Sequence, residues 1–217
     1  MGNRMNIKQL VFEFFGTATL LVGVVGSSFM ATNLTGDKAL ALLINAAVTA
    51  ATLGIIIKVG ASISGAHYNP AVTFANVLLR KNSLALALQY LIAQVVGAIC
   101  GVILANAMFS SKLVANSTIE RSGTGLILAE VIATVGLVYL ALTSNEKSAW
   151  KLIPLWIFAA YFFTSSTSFA NPAVTLSRVF TESGAGINSG SVLWFVLAQI
   201  VGALLATTLV KLEKNRG

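Results

Sequence analysis

Six apolar runs dominate the chain, at about 9–31, 39–60, 84–106, 124–143, 152–168 and 191–211. A helix needs roughly 20 apolar residues to cross about 30 Å of hydrocarbon. Each run reaches or nearly reaches that length, so the pattern predicts six transmembrane helices. Only short loops lie between them, leaving no room for a separate water-soluble domain. Charged residues make up 10% of the 217, where a soluble domain carries about 25%. A soluble globular enzyme is therefore excluded. The single cysteine, Cys100, allows no internal disulfide, and the single histidine, His67, allows no multi-histidine metal site. No metal and no cofactor is expected.

The net charge of +7 comes from 14 basic and 7 acidic residues. The basic residues fall in short clusters between apolar runs, so they report membrane topology, not nucleic-acid binding. Arg4, Lys8, Lys58, Arg80, Lys81, Lys147, Lys151, Lys211, Lys214 and Arg216 fall on one side, and Lys38, Lys112, Arg121 and Arg178 on the other. The richer side is expected to be cytoplasmic, which puts both termini inside a cell membrane crossed several times. Arg4 and Lys8 before an apolar run resemble the start of a signal peptide. Glu13 inside that run, and the lack of a small-residue cleavage site, make it a retained first helix instead.

The chain also repeats itself. Glu13 opens the run Phe12 to Thr17, and Glu130 opens a matching run, Ala129 to Thr134. Asn69-Pro70-Ala71-Val72-Thr73 recurs unchanged as Asn171-Pro172-Ala173-Val174-Thr175. Ala93 to Ala98, with Gln94, is matched by Ala198 to Ala203, with Gln199. Residues 1–110 and 111–217 thus form two repeats of three spans each. Three is odd, so the second repeat enters the membrane from the opposite side, the inverted arrangement of many transport proteins.

The two Asn-Pro-Ala segments begin stretches of about 69–79 and 171–181, roughly 16 Å of helix each. Neither can cross a bilayer. Each can reach the middle if the loop before it re-enters the membrane, which is allowed where it is buried in protein or lines a cavity. Pro70 and Pro172 suit the first helical turn, and Asn69 and Asn171 suit the cap. Two such helix N-termini meeting at mid-membrane disfavour cations, while the Asn amides can donate to a passing oxygen.

With these motifs the sequence resembles the major intrinsic protein family, the aquaporins and aquaglyceroporins. Ser64 to Thr73, Asn171-Pro172-Ala173 and the paired glutamates Glu13 and Glu130 carry the resemblance, which covers nearly the whole chain. It implies an all-α membrane protein. The expected architecture is a right-handed bundle of six transmembrane helices plus two re-entrant half-helices, with one pore per subunit in a homotetramer surrounded by lipid. The family's second constriction maps onto Thr49, Ala159 (give or take one residue), Ser168 and Val174. The position that usually carries an arginine is Val174, and none of the four is aromatic. Small neutral side chains there widen the opening. The resemblance then implies a passive channel for water and small uncharged solutes such as glycerol, or undissociated metalloid hydroxides such as arsenous acid. The stretch Thr167 to Val174 is similar to a bacterial branch associated with arsenic resistance.

Arg178 leaves two readings open: a charge in the outer vestibule, or an interfacial arginine paired with Glu182. Glu13 and Glu130 are expected to accept hydrogen bonds from the re-entrant loops, with Gln94 and Gln199 doing similar work. His67 is expected to hold a fixed hydrogen bond in the wall, and Cys100 to be buried. Small residues such as Gly97, Gly101 and Gly202 suggest close helix crossings. A strictly water-selective channel and an ion-coupled transporter are the alternatives. No nucleophile–base pair or metal cluster points to an enzyme.

Overall fold

The structure, a computed structural model, describes residues 7–215. It contains α1 (Ile7–Leu34), α2 (Lys38–Ser64), the short α3 (Pro70–Leu78), α4 (Leu84–Met108), α5 (Thr124–Thr143), α6 (Glu146–Phe163), the shorter α7 (Pro172–Ser177) continued by a 3₁₀ turn (Arg178–Phe180), and α8 (Ser189–Lys214). Helices α1, α2, α4, α5 and α8 are long and apolar enough to cross a membrane. The sixth long helix, α6, has 18 residues and carries Glu146, Lys147 and Lys151 in its first two turns. Arg4 and Arg216 lie outside the described residues.

Helix α6 differs from the apolar run that predicted it. Asn145 caps it, its side chain accepting from the backbone N–H groups of Lys147 and Ser148. The helix therefore starts at Glu146, ahead of the apolar stretch, and ends at Phe163. The polar stretch 164–168, counted by hydropathy as helix, belongs to the following loop. Pro154 inside α6 has no N–H to offer the Trp150 carbonyl. Gly54 of α2 faces that oxygen, since a Cβ there would lie 3.2 Å from it.

Burial is inverted relative to a soluble protein. Glu13, Gln94, Glu130 and Gln199 are fully buried, while Phe15, Ile92, Leu155 and Trp194 are among the large apolar residues left exposed. Such a surface suits hydrocarbon. Helix α1 packs on α2 and α4, α5 packs on α8, and α2 packs on α6. The α1–α4 crossing is close because a Cβ at Gly97 or Gly101 would collide with the carbonyl oxygens of Phe14 and Ala18. Cys100, on the same helix, is exposed on the outer face instead of buried. One turn of α4 carries Gly97, buried against α1, and the residue three further on faces outward.

Candidate functional site

The two half-helices start at Asn69 and Asn171, as the cap chemistry predicts. Asn69 Oδ1 accepts from the Ala71 N–H at 2.8 Å, and Asn171 Oδ1 accepts from the Ala173 N–H at 3.0 Å. Each amide then reaches across to the other repeat. Asn69 Nδ2 donates to the Ala170 carbonyl at 2.8 Å, and Asn171 Nδ2 donates to the Tyr68 carbonyl at 2.8 Å. This reciprocal clasp holds the two helix N-termini together. An amide has two N–H groups, so each asparagine keeps one for another acceptor.

The loops before the half-helices carry left-handed residues at matching places: Ala66 and Tyr68 in one, Ser168 and Ala170 in the other. Non-glycine residues rarely hold that conformation unless the surroundings impose it. Buried carboxylates do so here. Glu13 accepts from Ser64 Oγ (2.7 Å), the His67 N–H (3.0 Å), the Tyr68 N–H (2.7 Å) and Gln94 Nε2 (2.7 Å). Glu130 accepts from the N–H groups of Phe169 and Ala170, both at 2.9 Å, and from Gln199 Nε2 at 2.7 Å. The glutamines also donate to Thr73 and Thr175 of the half-helices. Glycines make room for this frame: a Cβ at Gly16 or Gly60 would collide with the Tyr68 ring.

A cavity of about 270 Å³ runs past both asparagines. Thr49, Ser168, Val174, His67 and Arg178 line it. Its other walls are largely apolar, among them Leu53, Ile57, Leu137 and Ile153. The lining offers a solute both hydrogen-bond donors and hydrocarbon. His67 Nδ1 lies 3.0 Å from Thr73 Oγ1, which is the fixed contact expected.

Three sequence expectations are corrected. Ala159 is exposed and lies outside the cavity lining; Ile153, Ile157 and Tyr161 form the lining face of α6. Two residues along a helix turn a side chain by about 200°, so a small error in register moves the position from one side to the other. The wall consequently includes aromatic residues: Tyr161, whose hydroxyl donates to Thr49 Oγ1 at 3.1 Å, and Phe169. Finally, Arg178 neither pairs with Glu182 nor sits in an open vestibule. Glu182 pairs with Lys112 at 3.4 Å on the surface. Arg178 is only 2% exposed, its Nε donating to the Ala185 carbonyl and its guanidinium lying 3.4 Å from the Phe169 ring centroid. Alternation and hydropathy carry no signal for Tyr161 and Phe169, because aromatic residues in a membrane helix or loop read as apolar in either orientation.

The geometry has close counterparts among known proteins. Residues 2–169 match the family description "Major intrinsic protein". The chain is 42% identical over 208 residues to an aquaglyceroporin, AqpS, of Rhizobium meliloti (strain 1021), a match covering 94% of this chain and 89% of that one. It is 32% identical over 218 residues to a probable aquaporin, PIP2-8, of Arabidopsis thaliana, covering 92% and 78% of the two chains. The solved structure of the aquaglyceroporin from Plasmodium falciparum shares the fold, with a TM-score of 0.74 at 21% identity and coverage of 93% and 94%. This chain belongs to the major intrinsic protein family, whose members are passive membrane channels for water and small solutes and not enzymes.

Proposed function

We propose that the channel passes small uncharged solutes beyond water: glycerol-like polyols and undissociated metalloid hydroxides such as arsenous acid. The observation that carries this reading is the mixed polar and apolar lining of the cavity. Asn69 and Asn171 supply amide donors, while Leu53, Ile57, Leu137 and Ile153 supply hydrocarbon. A polyol presents hydroxyls on one side and C–H groups on the other, and such a wall matches both. Val174 lines the cavity where the sequence pattern of the family leads one to expect an arginine, so that place is neutral and small. The relative named an aquaglyceroporin, 42% identical, supports the glycerol part of this reading.

In this reading Asn69, Pro70, Ala71, Asn171, Pro172 and Ala173 form the mid-membrane station. Thr49, Ser168 and Val174 belong to the second constriction, with Tyr161 in place of Ala159. Glu13 and Glu130 hold the loops. The positive ends of two half-helices facing one path disfavour cations and protons. Residues 1–110 and 111–217 act as the two inverted repeats. The protein sits in the cell membrane with both termini cytoplasmic, as the basic residues argue, and assembles as a homotetramer in lipid.

Strict water selectivity is the second reading, and Tyr161 favours it, because its ring stands where a small residue was expected. Stopped-flow light scattering on proteoliposomes separates the two. The expected result is glycerol and arsenous acid entry well above protein-free vesicles. A Val174→Arg variant should lower solute entry by about tenfold and leave water flux within roughly twofold, as expected when one side chain raises a barrier by about 1.4 kcal/mol. Water flux with no solute entry in the unsubstituted protein would sink the wide-pore reading.

A further inference from the structure

Arg178 is buried in the wall of the cavity, with no carboxylate in salt-bridge contact among the described residues. Glu182, four residues further along the chain, pairs with Lys112 on the surface. The protein acceptor given to its guanidinium is the Ala185 carbonyl, which takes Nε. Its remaining N–H groups, on the two Nη atoms, have no protein acceptor among the described residues. Ser168 lines the same cavity, is 4% exposed, and its Oγ likewise has no partner. Buried polar groups are costly to leave unpaired. The Arg178 Nη groups, which line the cavity, need an oxygen-bearing molecule to satisfy them.

The charge is held in place by its neighbours. Phe169 carries the Arg178 guanidinium at 3.4 Å from its ring centroid and the Arg121 guanidinium at 4.9 Å. Arg121 also donates to the Gly186 carbonyl from Nε at 2.9 Å and to the Gly184 carbonyl from Nη2 at 3.2 Å. Three successive carbonyls, 184 to 186, are therefore shared out between two arginines, with the middle one going to Arg178. The loop folds back so that the Ile187 N–H donates to the Arg178 carbonyl at 3.2 Å. Pinning this loop fixes Nε and leaves the two Nη groups for the cavity.

We propose that Arg178 is the specificity-determining residue at this end of the pore, and that Arg121 is a positioning residue that holds it. The Nη pair binds two hydroxyl oxygens of a passing solute. The class that fits is a small neutral molecule with two hydroxyl oxygens close enough for a parallel pair of N–H donors, such as a vicinal diol or a metalloid hydroxide. The guanidinium charge also repels cations. The proposal deepens the solute-channel reading and rests on it for the identity of the solute.

The test uses the full chain in proteoliposomes, with glycerol and urea uptake, water flux, and proton leak reported by an internal pH-sensitive dye. Urea offers one carbonyl oxygen and no hydroxyl. The expected result for Arg178→Gln is a glycerol-to-urea ratio lowered by about tenfold, the size of a lost bidentate contact, and a raised proton leak, with water flux still measurable as the sign that the variant has folded. Arg178→Lys keeps the charge and so blocks protons, but it loses the paired donors and most of the glycerol preference. Arg121→Gln shifts the ratio in the same direction by roughly threefold. It carries the test if Arg178→Gln gives no water flux and has not folded. A ratio unchanged within about twofold in folded variants overturns the proposal. If the unsubstituted protein passes neither glycerol nor urea, the solute reading fails by itself. Proton leak then decides: a tight parent with a leaky Arg178→Gln supports the arginine's role, and equal tightness overturns it.

Discussion

The two halves of the pore wall share five matching positions, with Gly65 and Tyr68 added in one half only, and end in different chemistry. One half-helix and its loop contribute Ala66, His67, Asn69, Val72 and Asn76 to the cavity. The other contributes Ser168, Phe169, Asn171, Val174 and Arg178, each as far along the chain from its counterpart as Asn171 is from Asn69. The asparagines and valines are the same in both halves. The remaining three pairs differ. At one end the polar groups are satisfied internally: His67 lies against Thr73 Oγ1, and Asn76 Nδ2 donates to the Val72 carbonyl of its own helix at 2.9 Å. At the other end Phe169 has no polar atom in its side chain, and its ring faces the guanidinium that takes the place of Asn76. A symmetric frame thus carries an asymmetric pair of entrances. The frame fixes where a solute's oxygens can sit, and the three unlike pairs determine which solutes each end tolerates.

The frame itself is not perfectly symmetric, which gives the first way to break the comparison. Glu13 collects four donors and Glu130 three: both Ser64 and Ser166 accept from the N–H two residues on, but only Ser64 also donates to its glutamate. Each buried donor left without an acceptor costs about 1–3 kcal/mol. Glu13→Ala and Glu130→Ala should both consume much of a membrane domain's stability, and Glu13→Ala the more. Thermal unfolding of detergent-solubilised protein measures this. Equal losses would mean that the Ser64 contact contributes nothing and that the halves are energetically alike.

The second test concerns the helix crossings that support the halves. A Cβ at Gly97 meets only Phe14 backbone atoms, which cannot move without shifting α1. A Cβ at Gly202 would lie 2.7 Å from Thr134 Cβ and 2.9 Å from the Val131 carbonyl oxygen, so part of the obstruction is a side chain. Gly97→Ala is expected to cost about 3 kcal/mol and Gly202→Ala about 1–2 kcal/mol, within the usual range for overpacking. The midpoint shifts of the two variants check the order, and a reversed order would show that the Glu130 half is the tighter one.

Most of the frame was legible in the sequence, because its signals are local. Apolar length marks the spans, and a repeated pentapeptide marks both half-helices. A lone glutamate in an apolar run marks each loop support. The site was legible only where it lies within a few residues of those marks. Tyr161 was missed because it lies across the loop 164–171 from the second motif, and the rotation of α6 about its axis is set by packing against α2 rather than by spacing. The role of Arg178 was missed for a related reason. Its partner Phe169 is close in sequence, but Arg121 comes from the loop after α4 and meets it only once the chain has folded. The early start of α6 was missed because a cap is a polar signal, and the runs were counted by hydropathy.

The gentlest test exchanges one of the unlike pairs. Replacing His67 by the phenylalanine that occupies its counterpart removes a single polar contact. Thr73 Oγ1 would still accept from Gln94 Nε2 at 3.0 Å and donate to the Asn69 carbonyl at 3.1 Å, so it would not be orphaned. The stability loss should therefore stay near the net value of one hydrogen bond, about 1 kcal/mol. The ring also fits the setting, since Tyr90 already packs edge-on against His67 at 5.3 Å. Water and glycerol flux should fall together by roughly twofold to fivefold, because one polar group in the wall is worth about that much in a barrier. The ratio of glycerol to urea should not move. If His67→Phe alters that ratio as much as a change at Arg178 does, discrimination is shared between the ends, and the division into a self-satisfied end and a selecting end is wrong.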